Sequence, residues 1–349
     1  MLLLEQVPMA ALTTLGVGGR ARYFCEARYE DDIREAIVFA RERGLPVFVM
    51  GGGSNLVVAD AGFPGVVVKI ALMGIQQRSA GGGRVRFSVA AGEDWDAFVA
   101  GTVQSRFAGL ECLSGIPGTV GGTPIQNVGA YGQEVSETIT ELHALDLDSL
   151  ERVTFSNADC RFSYRSSRFN GEDRGLYVIT MVDFSLLLGG KPALRYPDLQ
   201  NYFRTSPAEP TLEEVRAAVL HIRRQKSMVI TRGDKDSRSA GSFFKNPIIA
   251  QKKYERLAAT LAPHGLELPS YAAGEGFRKI PAAWLVEHAG FAKGYAKGSA
   301  GISSRHSLAI VNRGAATAAE IVALKDEIQQ RVKDKFGIEL QTEPVFVGF

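Results

Sequence analysis

Hydrophobic positions change period several times along the chain, and each change marks an element. In YEDDIREAIVFARERG (29–44), Ile33, Ile37 and Ala40 recur at helical spacing and Gly44 supplies a stop, which predicts a helix. The unbroken apolar run LPVFVM (45–50) predicts a buried strand leading straight into GGGSN; GVVVKI (65–70) reads as a second strand and RVRFSVAAG (84–92) as a third of the same α/β unit. Trp95, Phe98, Val99 and Val103 in DWDAFVAGTVQSRF (94–107) share one helical face. That helix feeds a glycine-rich stretch without period, LSGIPGTVGGTPIQNVGAYGQEV (113–135), whose length suggests a working loop and whose apolar residues argue against disorder.

A mixed second lobe follows, with strands expected at ELHALDL (141–147) and LYVITMVDFSLL (176–187) on either side of DCRFSYRSSRF (159–169). TLEEVRAAVLHIRRQK, from Thr211, has an amphipathic helical pattern, VITRGDKDSRSA behind it reads as an exposed loop, and GSFFKNP (241–247) opens a new unit. Near the end, Thr317 and Glu320 have capping-box spacing ahead of the stripe Ile321, Leu324, Ile328 and Val332, and GIELQTEPVFVGF contains a last strand.

Composition narrows the class. At 349 residues the chain exceeds what one core of roughly 250–300 residues usually serves, so several lobes are expected. Hydrophobic residues are 45% and charged residues 22%, and no run approaches the ~20 apolar residues of a membrane span. The N-terminal MLLLEQVPMAALTT lacks the basic leader and long apolar run of a secretory signal, which points to a cytoplasmic protein. Forty basic against 38 acidic residues exclude a general nucleic-acid binder and leave only local anion sites. Three widely spaced cysteines, Cys25, Cys112 and Cys160, fit packed thiols better than a disulfide framework, and no histidine or cysteine spacing proposes a metal.

GGGSN (51–55) suits a phosphate cradle, with Gly51, Gly52 and Gly53 letting backbone N–H groups approach an anion and Ser54 and Asn55 adding donors; a plain tight turn is the alternative. GIPGTVGG (115–122) repeats that chemistry far away, and two such loops suit a ligand with a pyrophosphate and a long body. GVGGRA (16–21) loosely matches a dinucleotide pattern but lacks the strand and helix that pattern requires. Arg165 offers a fork for a carboxylate or enolate, or an ordinary surface ion pair, and Glu343 stands in QTEPVF near a strand. Arg216, Arg223, Arg224, Lys226, Arg232, Lys235 and Arg238 form the one basic concentration, either a solvated face or a lure for a diphosphate.

MGGGSNLVV, LSGIPGTVGGTPIQNVGAYGQEV, CRFSYRSS, AGSFFKNP and TEPVFVG, in that order from about Thr14 to the C-terminus, resemble the UDP-N-acetylenolpyruvoylglucosamine reductase family. The resemblance implies an α+β protein with a two-lobed, vanillyl-alcohol-oxidase-like (PCMH-type) FAD-binding domain and a C-terminal α+β substrate domain. The lobes would be 1–70 completed by 339–349, 71–222, and a substrate domain at 223–338. It implies non-covalent FAD held by Gly51, Gly52, Gly53, Ser54, Asn55, Gly115, Ile116, Gly118, Thr119 and Gly122. NADPH would reduce the flavin, which would then pass hydride to C3 of the enolpyruvyl group of UDP-N-acetylglucosamine enolpyruvate, in a monomer with no nucleic-acid or membrane partner.

The same resemblance assigns Ser242 as proton donor to C2, Arg165 as holder of the carboxylate and stabiliser of the enolate, and Glu343 as the residue that helps polarise or protonate that intermediate. A serine is a weak acid, so its placement must do the work. Tyr164, Arg223, Lys226 and Asn246 match positions lining substrate or diphosphate, and Tyr196 matches the mobile-loop tyrosine of the family's type I branch. Three departures stand out: a longer, charged stretch after Lys226; His288 where a glutamine often contacts substrate, as a contact or a packed side chain; and Pro197, which stiffens the hinge after Tyr196. Two other readings use the same residues. One is a flavin oxidase regenerated by dioxygen; the other is a non-catalytic binder, which needs no proton donor.

Overall fold

The computed structural model describes residues 1–206, 208–231 and 233–349. The chain forms two compact units, one of Met1–Pro8, Arg20–Gly53 and Gly62–Val229, the other of Met9–Gly19, Ser54–Ala61 and Ile230–Phe349. Both mix helix and strand, and the architecture is α+β.

In the larger unit, one sheet runs Leu3–Pro8, Arg20–Ala27, Phe63–Ile70, Val47–Met50, antiparallel in its first pair and parallel thereafter. The expected helix occupies Glu30–Glu42 and buries Ile33, Ala36, Ile37 and Ala40 against the cluster around Val66, Val68 and Ile70. A second, antiparallel sheet runs Arg152–Ser156, Ile139–Asp146, Tyr177–Leu188, Arg84–Ala90, Ile75–Gly81. Arg84–Ala90 therefore belongs to this sheet and not to the first α/β unit that its pattern suggests. Its backbone pairs with Tyr177–Leu188 from Ala90 opposite Met181 to Arg84 opposite Leu187, and Phe87 and Val89 turn into this sheet's own core. Ile75–Gly81 is exposed at every residue, so it carries no alternation to read; it is recruited by pairing with Arg84–Ala90. Helix Trp95–Gln104, capped by Asp94 accepting from Ala97 N–H at 2.8 Å, buries Trp95, Phe98 and Val99 against that sheet.

Across the second sheet Asp183 meets Arg86 and His143, the histidine Nε2 lying 3.2 Å from its carboxylate, while Arg86 also reaches Glu141. Burial raises the Asp183 carboxyl, but hydrogen bonds from Ser88, Arg86 and His143 outweigh it and hold the group below the usual carboxylate range. Glu141, His143 and Asp183 lie close enough to suggest a cation site, but the Arg86 guanidinium already supplies the positive charge there.

In the smaller unit, Leu56–Val58 pairs in parallel with the C-terminal strand Val345–Val347, and three helices, Gln251–Leu261, Ala282–His288 and Ala318–Phe336, share one core. Thr317 and Glu320 form the expected capping box and Ile321, Leu324, Ile328 and Val332 are buried as patterned. Phe243 and Phe244 of GSFFKNP are buried in the same core. The preceding stretch is less exposed than its polarity suggests. Ser237, Ser239 and Ala240 are buried, because the Ser237 hydroxyl donates to the Thr231 and Asp234 carbonyls and Ser239 bridges Val311. Arg232 of the basic concentration lies outside the described residues. Among the described residues no helix is long and apolar enough to cross a membrane.

All three cysteines are free and buried. Burial lifts the Cys25 thiol to about 11 and the Cys160 thiol to about 12, and raises Cys112 further still. A disulfide reagent at pH 8 is therefore expected to label the native protein far more slowly than the denatured chain, which should titrate all three; rapid labelling of one thiol in the native protein would contradict this burial.

Candidate active site

In the larger unit the two glycine loops meet. A Cβ added at Gly52 would come within 2.8 Å of the Gly118 Cα, backbone against backbone, and Gly118 itself has φ +128°, a conformation open to glycine. The second loop is stitched to the start of helix Trp95–Gln104: Trp95 N–H donates to the Gly118 carbonyl at 3.1 Å, Val120 N–H to Glu93, and Gly115 N–H to the Asp96 carboxylate at 2.6 Å. Burial pushes the Asp96 carboxyl up, but the Arg216 fork and the Gly115 N–H outweigh it and keep the group ionised below its ordinary range. Ile116 packs on the core, whereas Gly122 is exposed.

Thr119 Oγ1 is buried and has no hydrogen-bond partner among the described residues, an arrangement that costs free energy unless a ligand supplies one. An orphaned hydroxyl beside two closely packed glycine backbones fits the cradle of a dinucleotide pyrophosphate. Gly52→Val should clash with that backbone, costing about 1–3 kcal/mol in local packing. The purified variant is expected to carry much less flavin by visible absorbance per protein; full flavin content would show that the loops do not form the cradle.

The loop after the second cradle meets three of the predicted polar residues, Arg165, Tyr196 and Arg223. Arg165 sits at φ +54° in a tight Ser163–Ser166 turn, and its Nη2 donates to the Gly129 carbonyl at 2.7 Å with the guanidinium carbon 5.4 Å from the Tyr164 ring centre. The turn is held by Ser167 Oγ donating to Ile125 O (2.7 Å) and Asn127 Nδ2 to Ser163 O (3.1 Å). Two residues beyond Gly129, Tyr131 stands edge-on to Tyr196, ring centres 5.6 Å apart, and is electrostatically coupled to Arg223. Burial raises the Tyr131 phenol and lowers the Arg223 guanidinium's pKa, each resisted by the other. Arg223 also donates to the Gly115 and Met228 carbonyls, so one buried arginine ties the cradle to the tyrosine loop.

The rest of the basic concentration is spent locally. Arg216 pairs with Asp96 and Lys226 with Asp198, 2.9 Å away, while Arg224, Lys235 and Arg238 are exposed. Pro197 is the first residue of helix Pro197–Phe203, with Tyr196 as its N-cap; there its fixed φ starts the helix and its missing N–H costs nothing.

In the smaller unit Ser242 and Glu343 are neighbours through the backbone. Phe243 donates its N–H to Leu308 O (2.7 Å) and accepts the Glu343 N–H on its carbonyl (3.0 Å), and Lys245 N–H donates to Gln341 O. Ser54 O accepts from Thr14 Oγ1 at 3.3 Å, and Asn55 Nδ2 donates to the Glu343 carbonyl at 3.1 Å, so Asn55 positions the terminal strand. The Ser242 hydroxyl lies 3.1 Å from His306 Nε2. Ser239 Oγ accepts the Gly241 N–H instead. Asn246 Oδ1 caps helix Ala282–His288 by accepting from Ala282 N–H, and His288 ends that helix stacked on Trp284 at 3.9 Å, its Nδ1 donating to the Trp284 carbonyl. Asp96, Tyr131 and His306 escaped the sequence reading; Tyr131, between glycines in GAYGQE, had a signal, whereas Asp96 looks like any first-turn acid and His306 like any turn histidine.

Residues 21–153, which hold the two closely packed glycine loops and the orphaned Thr119 hydroxyl, match the FAD binding domain family, so the class is that of an FAD-binding protein. Residues 234–347 match the C-terminal domain of UDP-N-acetylenolpyruvoylglucosamine reductase. Reductases of that name from Thermobifida fusca and Streptomyces avermitilis are each 44% identical, aligned over 99% of this chain and over 98% and 95% of theirs. The chain belongs to the UDP-N-acetylenolpyruvoylglucosamine reductase family. The crystal structure of the Thermus caldophilus enzyme, 24% identical, shares the fold with a TM-score of 0.66 over 99% of this chain and all of that one.

Proposed function

We propose that this chain reduces the enolpyruvyl group of UDP-N-acetylglucosamine enolpyruvate to the lactyl ether, giving the UDP-N-acetylmuramate used in peptidoglycan precursor synthesis, with NADPH as hydride donor. Family membership over nearly the whole chain supports the reaction, and the residue roles are supported by the hydrogen bond that the Glu343 N–H donates to the carbonyl of Phe243, the residue after Ser242. Bound FAD would supply the two-electron carrier between NADPH and C3 of the enolpyruvyl group. Gly51, Gly52, Gly118 and Thr119 would hold its pyrophosphate.

Hydride arriving at C3 leaves a pair of electrons at C2, spread into the neighbouring carboxylate. Arg165, aimed by the Gly129 carbonyl, holds that carboxylate and stabilises the charge as it grows. Ser242 delivers the proton to C2, and Glu343 assists at the same intermediate. Tyr164, Tyr196, Arg223, Lys226, Asn246 and His288 line or support the sugar nucleotide. Three buried free thiols suit a reducing, cytoplasmic setting.

The test is anaerobic. Protein reduced with NADPH is mixed with UDP-N-acetylglucosamine enolpyruvate and flavin absorbance is followed. Prompt return of the oxidised spectrum with formation of the lactyl ether is expected. A protein that stays reduced until air is admitted would instead be a flavin oxidase.

A further inference from the structure

We infer that His306 is a positioning residue that aims the Ser242 proton, an assignment that rests on the reading of Ser242 as proton donor. The His306 Nε2 lies 3.1 Å from Ser242 Oγ, and both side chains are half-buried. The two residues stand far apart in sequence but on segments locked together by backbone. Phe243 N–H donates to Leu308 O, Ser303 N–H donates to Ala309 O, Ala309 N–H closes on His306 O at 3.1 Å, and Arg305 N–H donates to Ser303 Oγ. Asp236 ties the turn from outside, accepting from Ser304 N–H and Oγ. The imidazole is thus presented to the serine by a turn with little freedom of its own.

A serine hydroxyl has one proton and a rotor that can point it in several directions. If Nε2 accepts, that proton points at the histidine and is lost to the substrate. If Nε2–H donates to Oγ, the histidine occupies a lone pair, the serine's own proton is turned away from the ring, and charge left on Oγ is stabilised by a hydrogen bond that strengthens as it forms. The second arrangement is the productive one. In the step itself the Oγ–H bond breaks, the electron pair at C2 forms the new C–H bond, and the serine is left as alkoxide, restored by a proton from water before the next turnover.

The experiment compares His306→Phe, which removes the donor, with His306→Gln, whose amide N–H can replace it, in the FAD-loaded protein after flavin content and melting temperature have been matched to wild type. His306→Phe should lower kcat about 10- to 100-fold, the loss expected for a hydrogen bond to a charged oxygen, with KM for the sugar nucleotide little changed. Reduction of the flavin by NADPH should keep its wild-type rate while reoxidation by the sugar nucleotide slows. His306→Gln should return to within about threefold of wild type, and His306→Phe should add nothing in a Ser242→Ala background, because both act through one proton.

The inference is overturned if both half-reactions of His306→Phe fall together, if glutamine is no better than phenylalanine, or if the two losses multiply in the double variant. It is overturned separately from the reading of Ser242: a slow Ser242→Ala with a fully active His306→Phe rejects only the histidine, whereas a fully active Ser242→Ala rejects the serine as donor whatever His306 does.

Discussion

Ser242→Ala is expected to lower kcat about 100- to 10,000-fold, the usual contribution of a positioned general acid. The change removes one oxygen from a half-buried site whose backbone is held by Leu308 and Glu343, so the fold and the flavin content should survive. The defect should also be confined to one half of the cycle. Flavin reduction by NADPH involves no proton transfer to C2 and should proceed normally, while sugar-dependent reoxidation should stall. In deuterated water the wild-type product should carry deuterium at C2, and the residual product of the variant should form at a rate set by a slower acid. Wild-type turnover by Ser242→Ala would assign the proton to another group, Glu343 being nearest in the backbone network.

Arg165→Met is expected to cost roughly 100- to 1,000-fold in kcat, comparable with losing a preorganised donor to developing charge, and to raise KM for the sugar nucleotide as well. The two effects belong together because the carboxylate is present in the substrate and gains charge only as the hydride arrives. Arg165→Lys should recover part of the binding but little of the rate, since an ammonium replaces a planar fork with a point charge. Methionine keeps much of the length, and the turn's own hydrogen bonds between Ser163 and Ser166 do not use the side chain, so the variant should fold. Equal losses with NADPH and with the sugar nucleotide would show that Arg165 supports the flavin site instead of the substrate carboxylate.

Much of this was legible in the chain itself. The periods that predicted helices at Glu30–Glu42, Trp95–Gln104, Leu212–Gln225 and Ala318–Phe336 are local, and burial of one face requires only that some core lie beside it. Five motifs in fixed order mark the family, and the matches over 21–153 and 234–347 agree with them. Sheet membership was less legible. Arg84–Ala90 has an apolar pattern that suits either of two sheets, and only its partner Tyr177–Leu188 decides between them.

The roles of single polar atoms were not legible. Asn55, within a glycine loop, reads as a phosphate donor, yet its amide reaches the Glu343 carbonyl 288 positions away. Arg223 reads as part of a basic face, but it is buried between the Gly115 carbonyl and Tyr131. His306 stands 64 residues from the serine it orients. The sequence by itself determined the elements, the order of the motifs and the family, because these depend on residue type and spacing along the chain. Only the tertiary structure decided which donor meets which acceptor, because a hydrogen bond is set to within a few tenths of an ångström by the packing of segments whose separation in sequence carries no record of their distance in space.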